Sequence, residues 1–216
     1  MTRRMVYGFG LWLTLACTAM TIASIIEPRW LSYSPNGERK ASMGLHRYCR
    51  SSTNKCDHFP EQKLGDCDGD KWSFCSMWRT VGFFISFSVV IELLTVVSFI
   101  VIISGGVQRR STGWKVITPI LAFGGIVQCA GMAIVAFLYD HDERFIEGWH
   151  LDLSWTLVTI SWTVLVLTSA GIVASALYLP TEGGYELIPN AQQFEVEEDE
   201  QLNSRIGAWN DGYQRD

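Results

Sequence analysis

Hydrophobic and polar positions alternate along this chain in long blocks rather than in short amphipathic patterns. Four apolar blocks are separated by polar stretches, and each block runs for 21 to 26 residues. As a helix, such a block crosses the hydrocarbon core of a bilayer, which is about 30 Å thick. The sequence therefore predicts an all-α membrane protein, a four-helix antiparallel transmembrane bundle with spans at residues 6–26, 80–104, 116–139 and 154–179.

The first block has some features of a secretory signal peptide. Arg3 and Arg4 precede it, and Ala23 and Ser24 are small residues of the kind found at cleavage sites. The apolar region of a signal peptide is usually about 7 to 15 residues long. This block is longer, so we expect an uncleaved first span, which places both termini on the same side of the membrane.

Charges and cysteines together predict the orientation of the spans. The short elements on the termini side carry cations without acids: Arg3, Arg4, Arg109, Arg110 and Lys115. Such a segment is typically cytoplasmic. Loop 27–79 holds eight Lys or Arg between Glu27 and Trp78, so a count of cations alone points the other way. The same loop contains an even set of cysteines, which is typical of disulfides formed outside the cytosol: Cys49, Cys56, Cys67 and Cys75.

We therefore expect loops 27–79 and 140–153 to be extracellular, and loop 105–115 and both termini to be cytoplasmic. The plasma membrane is the expected location, with an internal secretory-pathway membrane as the alternative. The net charge of −5 comes from the tail, residues 180–216, which contains nine acids and two arginines. Such a segment is usually disordered. Within it, Tyr185 and Ile188 fit a tyrosine-based sorting signal.

The long first loop has the composition of a small folded unit. It combines many aromatic residues with the turn sequences SPNG and DGD, which favour short β-hairpins over helices. A unit this small needs cross-links for stability. Cys49–Cys56 would close one hairpin and Cys67–Cys75 a second, but four cysteines allow three pairings and a nested arrangement stays open.

Several positions in this loop carry a resemblance to a known family. Trp30, then Gly44-Leu45, then Cys49 and Cys56, with Arg79 before the second span, resemble the signature of the claudin and peripheral-myelin-protein superfamily. The order of long and short loops is similar as well. The resemblance implies a left-handed bundle capped by an antiparallel extracellular β-sheet. It also implies a Cys49–Cys56 disulfide between neighbouring strands, packing of Trp30 and Leu45 under the sheet, and Arg79 as an anchor between the sheet and the helix ends.

The chain also departs from the claudin pattern. His46 stands where the signature has the tryptophan of Gly-Leu-Trp, Cys67 and Cys75 are additional, and the C-terminus is polar. No cysteine flanks the cytoplasmic ends of the spans, where claudins are palmitoylated. These departures argue against tight-junction sealing. The stretches CSMWR, QRRSTGWK and GGYELIP are similar to claudin-like four-span proteins of filamentous fungi.

Glu92 lies at the middle of the second predicted span, where an ionisable group is expensive. No Lys, Arg or His lies in any predicted span, and Gln128 lies at the same depth in the third. We expect a neutral Glu92 that is hydrogen-bonded to Gln128. The alternative is a proton- or ion-handling group. In the fourth span, four small residues permit close helix approach: Ala170, Gly171, Ala174 and Ser175.

The remaining polar motifs are weaker. The second loop is acidic and includes Asp140, Asp142 and Glu143, which suits a solvated loop or a rim that attracts cations. Asp66, Asp68 and Asp70 alternate without the other ligands of a calcium loop. The four histidines lack zinc spacing: His46, His58, His141 and His150. We expect no metal and no cofactor.

The sequence contains no recognisable catalytic constellation, so we expect a protein that is not an enzyme. The main hypothesis is lateral or cell-surface association that organises the membrane, with membrane lipid, copies of itself or other membrane proteins as partners. Neither a nucleic acid nor a small-molecule substrate is expected as a partner. The alternative is an auxiliary or pore-forming subunit of a cation channel or transporter.

Overall fold

Four long apolar helices dominate the computed structural model, which describes residues 2–35, 37–53, 55–60, 67, 72–142, 145 and 148–178. All four are long and apolar enough to cross a membrane, which confirms the four-span prediction. The helices are α1 (Thr2–Ile26), α2 (Trp72–Ser104), a short connecting helix α3 (Val107–Thr112), α4 (Trp114–His141) and α5 (Leu153–Tyr178). The predicted sorting signal, the alternating aspartates and Glu143 lie outside the described residues.

The long helices form a closed ring. α1 and α4 each pack against both α2 and α5. Two apolar clusters fill the interior of this ring. One lies at the loop-27–79 end and includes Trp30, Trp78 and Val135, and the other lies at the terminus end and includes Phe99 and Leu121. Apolar packing therefore holds the four helices together at both ends of the bundle.

Two helical segments lie outside the predicted spans. α2 begins at Trp72 rather than at residue 80, because Phe74, Cys75 and Trp78 continue the helix beyond the apolar block and are buried against the loop. A search for continuous apolar residues misses these first turns of α2, because the exposed residues Ser73, Ser76 and Arg79 interrupt the apolar run. Loop 105–115 is not simply a loop, because it contains α3.

A five-stranded antiparallel sheet stands on one end of the bundle, and we call it the cap. Its strands are β1 (Leu31–Tyr33), β2 (Ala41–Met43), β3 (Arg47–Arg50), β4 (Lys55–His58) and β5 (Trp149–Leu151), in the order β4-β3-β2-β1-β5. The first loop, which the sequence predicts to form the cap, supplies β1 to β4, while β5 is an addition from the second loop. β4 is one edge of the sheet, and all four of its residues are exposed.

Burial in the sheet differs from strand to strand: β1 and β2 are almost wholly buried, whereas every residue of β4 is exposed. Leu31, Met43 and Tyr48 are opposite one another in the register, so they share the face that packs on the apolar cluster. Trp30 is fully buried beside them, and its indole nitrogen donates to the Ser24 carbonyl at 2.8 Å. The apolar face of the sheet thus continues the core of the bundle.

Two disulfides stabilise this end of the protein. Cys49 and Cys56 are direct partners of β3 and β4, with their Cα atoms 4.1 Å apart. Cys67 joins Cys75. The expectation that the second disulfide closes another hairpin is wrong, because Cys75 lies in the first turn of α2. That bond instead ties the loop to the start of a membrane helix.

Gly44 has a steric role at the turn between β2 and β3. A Cβ atom there would lie 2.6 Å from Cα of Pro28, which is closer than real contacts allow. The Gly44 amide also donates to the Arg47 carbonyl at 2.8 Å. Only glycine permits the turn to sit this close to the end of α1.

Asp152 joins the cap to the bundle. Its carboxylate accepts hydrogen bonds from Ser32, from the Leu153 amide at the start of α5, and from Arg29, whose Nε lies 3.3 Å away. Burial raises the pKa of this carboxyl, but the hydrogen bonds from Ser32, Leu153 and Arg29 and the Arg29 charge outweigh it, so the pKa is lowered overall. Asp152 therefore caps α5 and binds β1 as a carboxylate.

We expect Asp152→Ala to lower the free energy of unfolding by about 1–2 kcal/mol at pH 7, since an N-cap and an internal hydrogen bond are lost. Because the folded pKa is lowered, the stabilisation is present above the ordinary aspartate pKa of about 3.9. It is lost as the pH falls through the lower folded value. Thermal unfolding of purified protein from pH 8 to pH 3 measures the difference between wild type and variant.

The control is Asp57→Asn on exposed β4, whose side chain makes no hydrogen bond within the described residues. A difference between wild type and Asp152→Ala that stays constant down to pH 3 would contradict the role of the carboxylate.

Candidate functional site

A buried cluster of polar side chains lies at the centre of the bundle, between the two apolar clusters. Each long helix contributes to it: Thr21 from α1, Ser88 and Glu92 from α2, Gln128 from α4 and Ser161 from α5. We call these five residues the polar cluster. None of them is more than 1% exposed. The cluster is therefore sealed from both the lipid and the loops.

Gln128 connects the members of the polar cluster. Its amide nitrogen lies 2.5 Å from Glu92 Oε1, 3.0 Å from Thr21 Oγ1 and 3.3 Å from Ser88 Oγ, and it donates to these acceptors. A primary amide has two hydrogens, so the three acceptors share two donors. The structure thus brings together Glu92 and Gln128, the two residues singled out from the sequence.

Thr21 extends the network to the fourth helix. Its hydroxyl lies 3.1 Å from Glu92 Oε1 and 3.1 Å from Ser161 Oγ, and it also donates to the Cys17 carbonyl at 2.9 Å. Inside a membrane helix, a threonine hydroxyl commonly donates a hydrogen bond to the backbone carbonyl four residues earlier. Thr14 and Thr18 do so on the same helix. Thr21 adds contacts to two other helices.

Two acceptor atoms of the cluster have no donor among the described residues: Glu92 Oε2 and Gln128 Oε1 are both buried and unpartnered. An ionised carboxylate without a cationic partner is very unfavourable in hydrocarbon. A proton on Glu92 removes the charge and adds a donor inside the cluster. The geometry is therefore that of a neutral carboxylic acid held by an amide and hydroxyls.

The chemistry open to this cluster is limited. It holds one proton-binding group and neutral donors and acceptors. Within the described residues, no group of three His, Cys, Asp or Glu side chains is placed to hold a metal ion. The cluster is suited to fixing four helices in register, or to exchanging a single proton.

The other predicted site residues lie outside this cluster. Trp30 and Leu45 are buried between the cap and the bundle, and Gly44 lies at the turn beside them. Arg79 is exposed on α2, where it lines a surface depression and not the interface with the sheet. The expected anchoring role of Arg79 therefore has no contact to support it among the described residues.

Sequence reasoning missed Thr21, Ser88 and Ser161. Serine and threonine are common in membrane helices and usually bond to their own backbone, so nothing local marks them as partners of Glu92. Their positions along the spans do not single them out either: Thr21 lies five residues before the end of its predicted span, and Ser161 seven residues after the start of its own. Asp152 was missed too, although an aspartate directly before an apolar run is a common helix start.

We expect Glu92→Gln to unfold close to the wild-type temperature, because the new amide supplies a donor and an acceptor where the neutral acid had them. Gln128→Leu should lose about 1–3 kcal/mol, since Ser88 then keeps no partner on another helix and Glu92 keeps only Thr21. Thermal unfolding in a lipid-like detergent compares these variants.

Ser98→Ala on the exposed side of α2 is the matched control, because that hydroxyl bonds only the Leu94 carbonyl of its own helix. A large loss of stability in Glu92→Gln would show that the carboxyl itself is required and would contradict the neutral arrangement.

Comparison with known families changes one prediction made from the sequence. The family model described as lipoma HMGIC fusion partner-like protein matches residues 9–143, from α1 beyond the end of α4. No curated protein matches the chain. The matching family is a four-span family distinct from claudins, so the predicted membership of the claudin and peripheral-myelin-protein superfamily is wrong, and the filamentous-fungal group has no support. The chain belongs to the lipoma HMGIC fusion partner-like protein family of four-span membrane proteins.

Proposed function

We propose that this protein is not an enzyme and acts by association. In this proposal the cap is extracellular, both termini are cytoplasmic, and the protein resides in the plasma membrane. It binds copies of itself or other membrane proteins through the cap and so organises the surrounding membrane. The observation that carries the proposal is the exposed, charged hairpin at one edge of the sheet.

This edge has an unusual concentration of positive charge. Five exposed cations lie on or beside strands β2 to β4, and we call them the basic edge: Arg39, Lys40, Arg47, Arg50 and Lys55. None of the five makes an ion pair with the part of the chain that the structure describes. Only Glu38 and Asp57 are acids among the neighbouring described positions. The basic edge is thus available to an acidic partner.

Two of these cations are placed against each other. Arg50 and Lys55 are direct cross-strand partners, and like charges in that position destabilise a hairpin. With Arg39, they line a surface depression of about 190 Å³. An acidic side chain seated there would relieve the repulsion, so binding and hairpin stability would reinforce each other.

The hairpin is also suited to binding by its rigidity and its open edge. The Cys49–Cys56 disulfide fixes β3 to β4, which reduces the conformational entropy that binding must remove. Among the described strands, β4 pairs only with β3, so its outer edge can accept a strand from another chain. A pre-organised charged edge favours specific association over catalysis.

We expect the double substitution Arg50→Glu and Lys55→Glu to weaken association of the full-length protein about tenfold or more, equivalent to ~1.4 kcal/mol. The two new glutamates then repel the acidic surface that Arg50 and Lys55 bound. The loss of affinity should be smaller at high salt. Subunit counting in lipid nanodiscs and cross-linking in cells measure it.

Lys115→Glu is the control, because it changes one cation at the opposite end of the bundle, at the start of α4. A wild-type protein that remains strictly monomeric in lipid, and that cross-links to no neighbour in cells, would refute the proposed function.

A second candidate is a subunit of a cation channel or transporter, and it rests on Glu92. Against a conducting role, the Glu92 side chain is only 1% exposed and three helices bond to it directly or through Thr21. Asp140 is exposed at the end of α4, whereas Glu143 lies beyond the described residues. Currents unchanged by Glu92→Ala, and by neutralising Asp140, Asp142 and Glu143, would eliminate this candidate.

A further inference from the structure

Arg79 is a cation that the proposed function does not use. It lies on the outer side of α2, in a surface depression of about 310 Å³ whose described lining residues all come from that helix: Trp72, Cys75, Ser76, Arg79, Thr80 and Phe83. The guanidinium makes no ion pair or hydrogen bond with the described part of the chain. Within the described residues, the guanidinium is therefore open to an anionic ligand.

The position of Arg79 along α2 indicates where that anion lies. Arg79 precedes Glu92 by thirteen residues, which corresponds to about 20 Å of helix. If Glu92 lies at the middle of a hydrocarbon core about 30 Å thick, then Arg79 lies about 5 Å beyond its boundary. Lipid phosphates occupy this level.

The surface of α2 below Arg79 suits an acyl chain. Phe83, Phe87, Val90 and Leu94 follow Arg79 on one helical face and are between 38% and 61% exposed. The rings of Phe83 and Phe87 stack nearly parallel, with their centroids 5.7 Å apart. The face thus runs from one cation to a continuous apolar track.

We propose that Arg79 binds the phosphate of one phospholipid from the leaflet on the cap side, and that an acyl chain of this lipid lies along Phe83 and Phe87. The planar guanidinium pairs with two phosphate oxygens in parallel, which a lysine cannot do. The Thr80 hydroxyl is already bonded to the Ser76 carbonyl at 2.9 Å, so Arg79 supplies the specificity. This lipid site is independent of association through the basic edge.

Native mass spectrometry of the full chain tests the site, with phosphatidylglycerol as the probe. Diacylglycerol with the same acyl chains is the comparison, because it lacks only the phosphate headgroup. We expect wild type to bind one phosphatidylglycerol about tenfold or more tightly than Arg79→Gln, with Arg79→Lys in between. Diacylglycerol should not distinguish the three proteins. Lys115→Gln, which removes an exposed cation from the opposite end of the bundle, should bind as wild type does.

A second measurement uses the unmodified protein, so it does not depend on the folding of a variant. A phosphatidylglycerol with a photoreactive group in its headgroup should label the peptide containing residues 72–83 in preference to the ends of the other helices. Equal retention of phosphatidylglycerol by wild type and Arg79→Gln, or labelling spread evenly around the bundle, would show bulk annular lipid only and would overturn the proposal.

Discussion

A carboxyl group at the middle of a bilayer must find its hydrogen-bond partners inside the protein, and this constraint organises the bundle. Glu92 meets it through Gln128 and Thr21, and Ser88 and Ser161 complete a cluster that includes every long helix. A slip of one helix by a single turn would separate these groups and leave them unpaired in hydrocarbon, where no water can replace the lost bonds. Apolar packing above and below is less directional, so the polar cluster is what specifies the register.

The cap depends on that register, because it is built on the ends of the same helices. Asp152 accepts bonds from β1 and from the first residue of α5, and Trp30 bonds to the last turn of α1. The sheet then takes strands from both loops and presents β4 at its far edge. The polar cluster therefore fixes the helix ends, and the helix ends fix the sheet that carries the basic edge. In the proposed function, this support keeps the basic edge in shape before a partner binds.

Much of this arrangement could be predicted from residues that act locally. The lengths of the apolar blocks predict the four spans. The equal depth of Glu92 and Gln128 in their spans predicts that the two side chains pair. The rest depends on distant contacts. A strand of three residues such as β5 has no pattern of its own, and Ser161 looks like any serine in a membrane helix. The family assignment was wrong for a related reason: Trp30, Gly44 and Leu45 are positions that packing of the cap itself requires, so they did not identify claudins.

The central claim is that Glu92 is a neutral acid held by the polar cluster, and infrared spectroscopy tests it most directly. The spectrum of the full-length protein in lipid at neutral pH, minus that of Glu92→Gln, isolates the signal of this one carboxyl. The account predicts the carbonyl stretch of a protonated, hydrogen-bonded carboxylic acid that exchanges slowly with deuterium because the cluster is sealed. Carboxylate bands in its place would mean that Glu92 is ionised, and that a cation or water reaches the centre of the bundle.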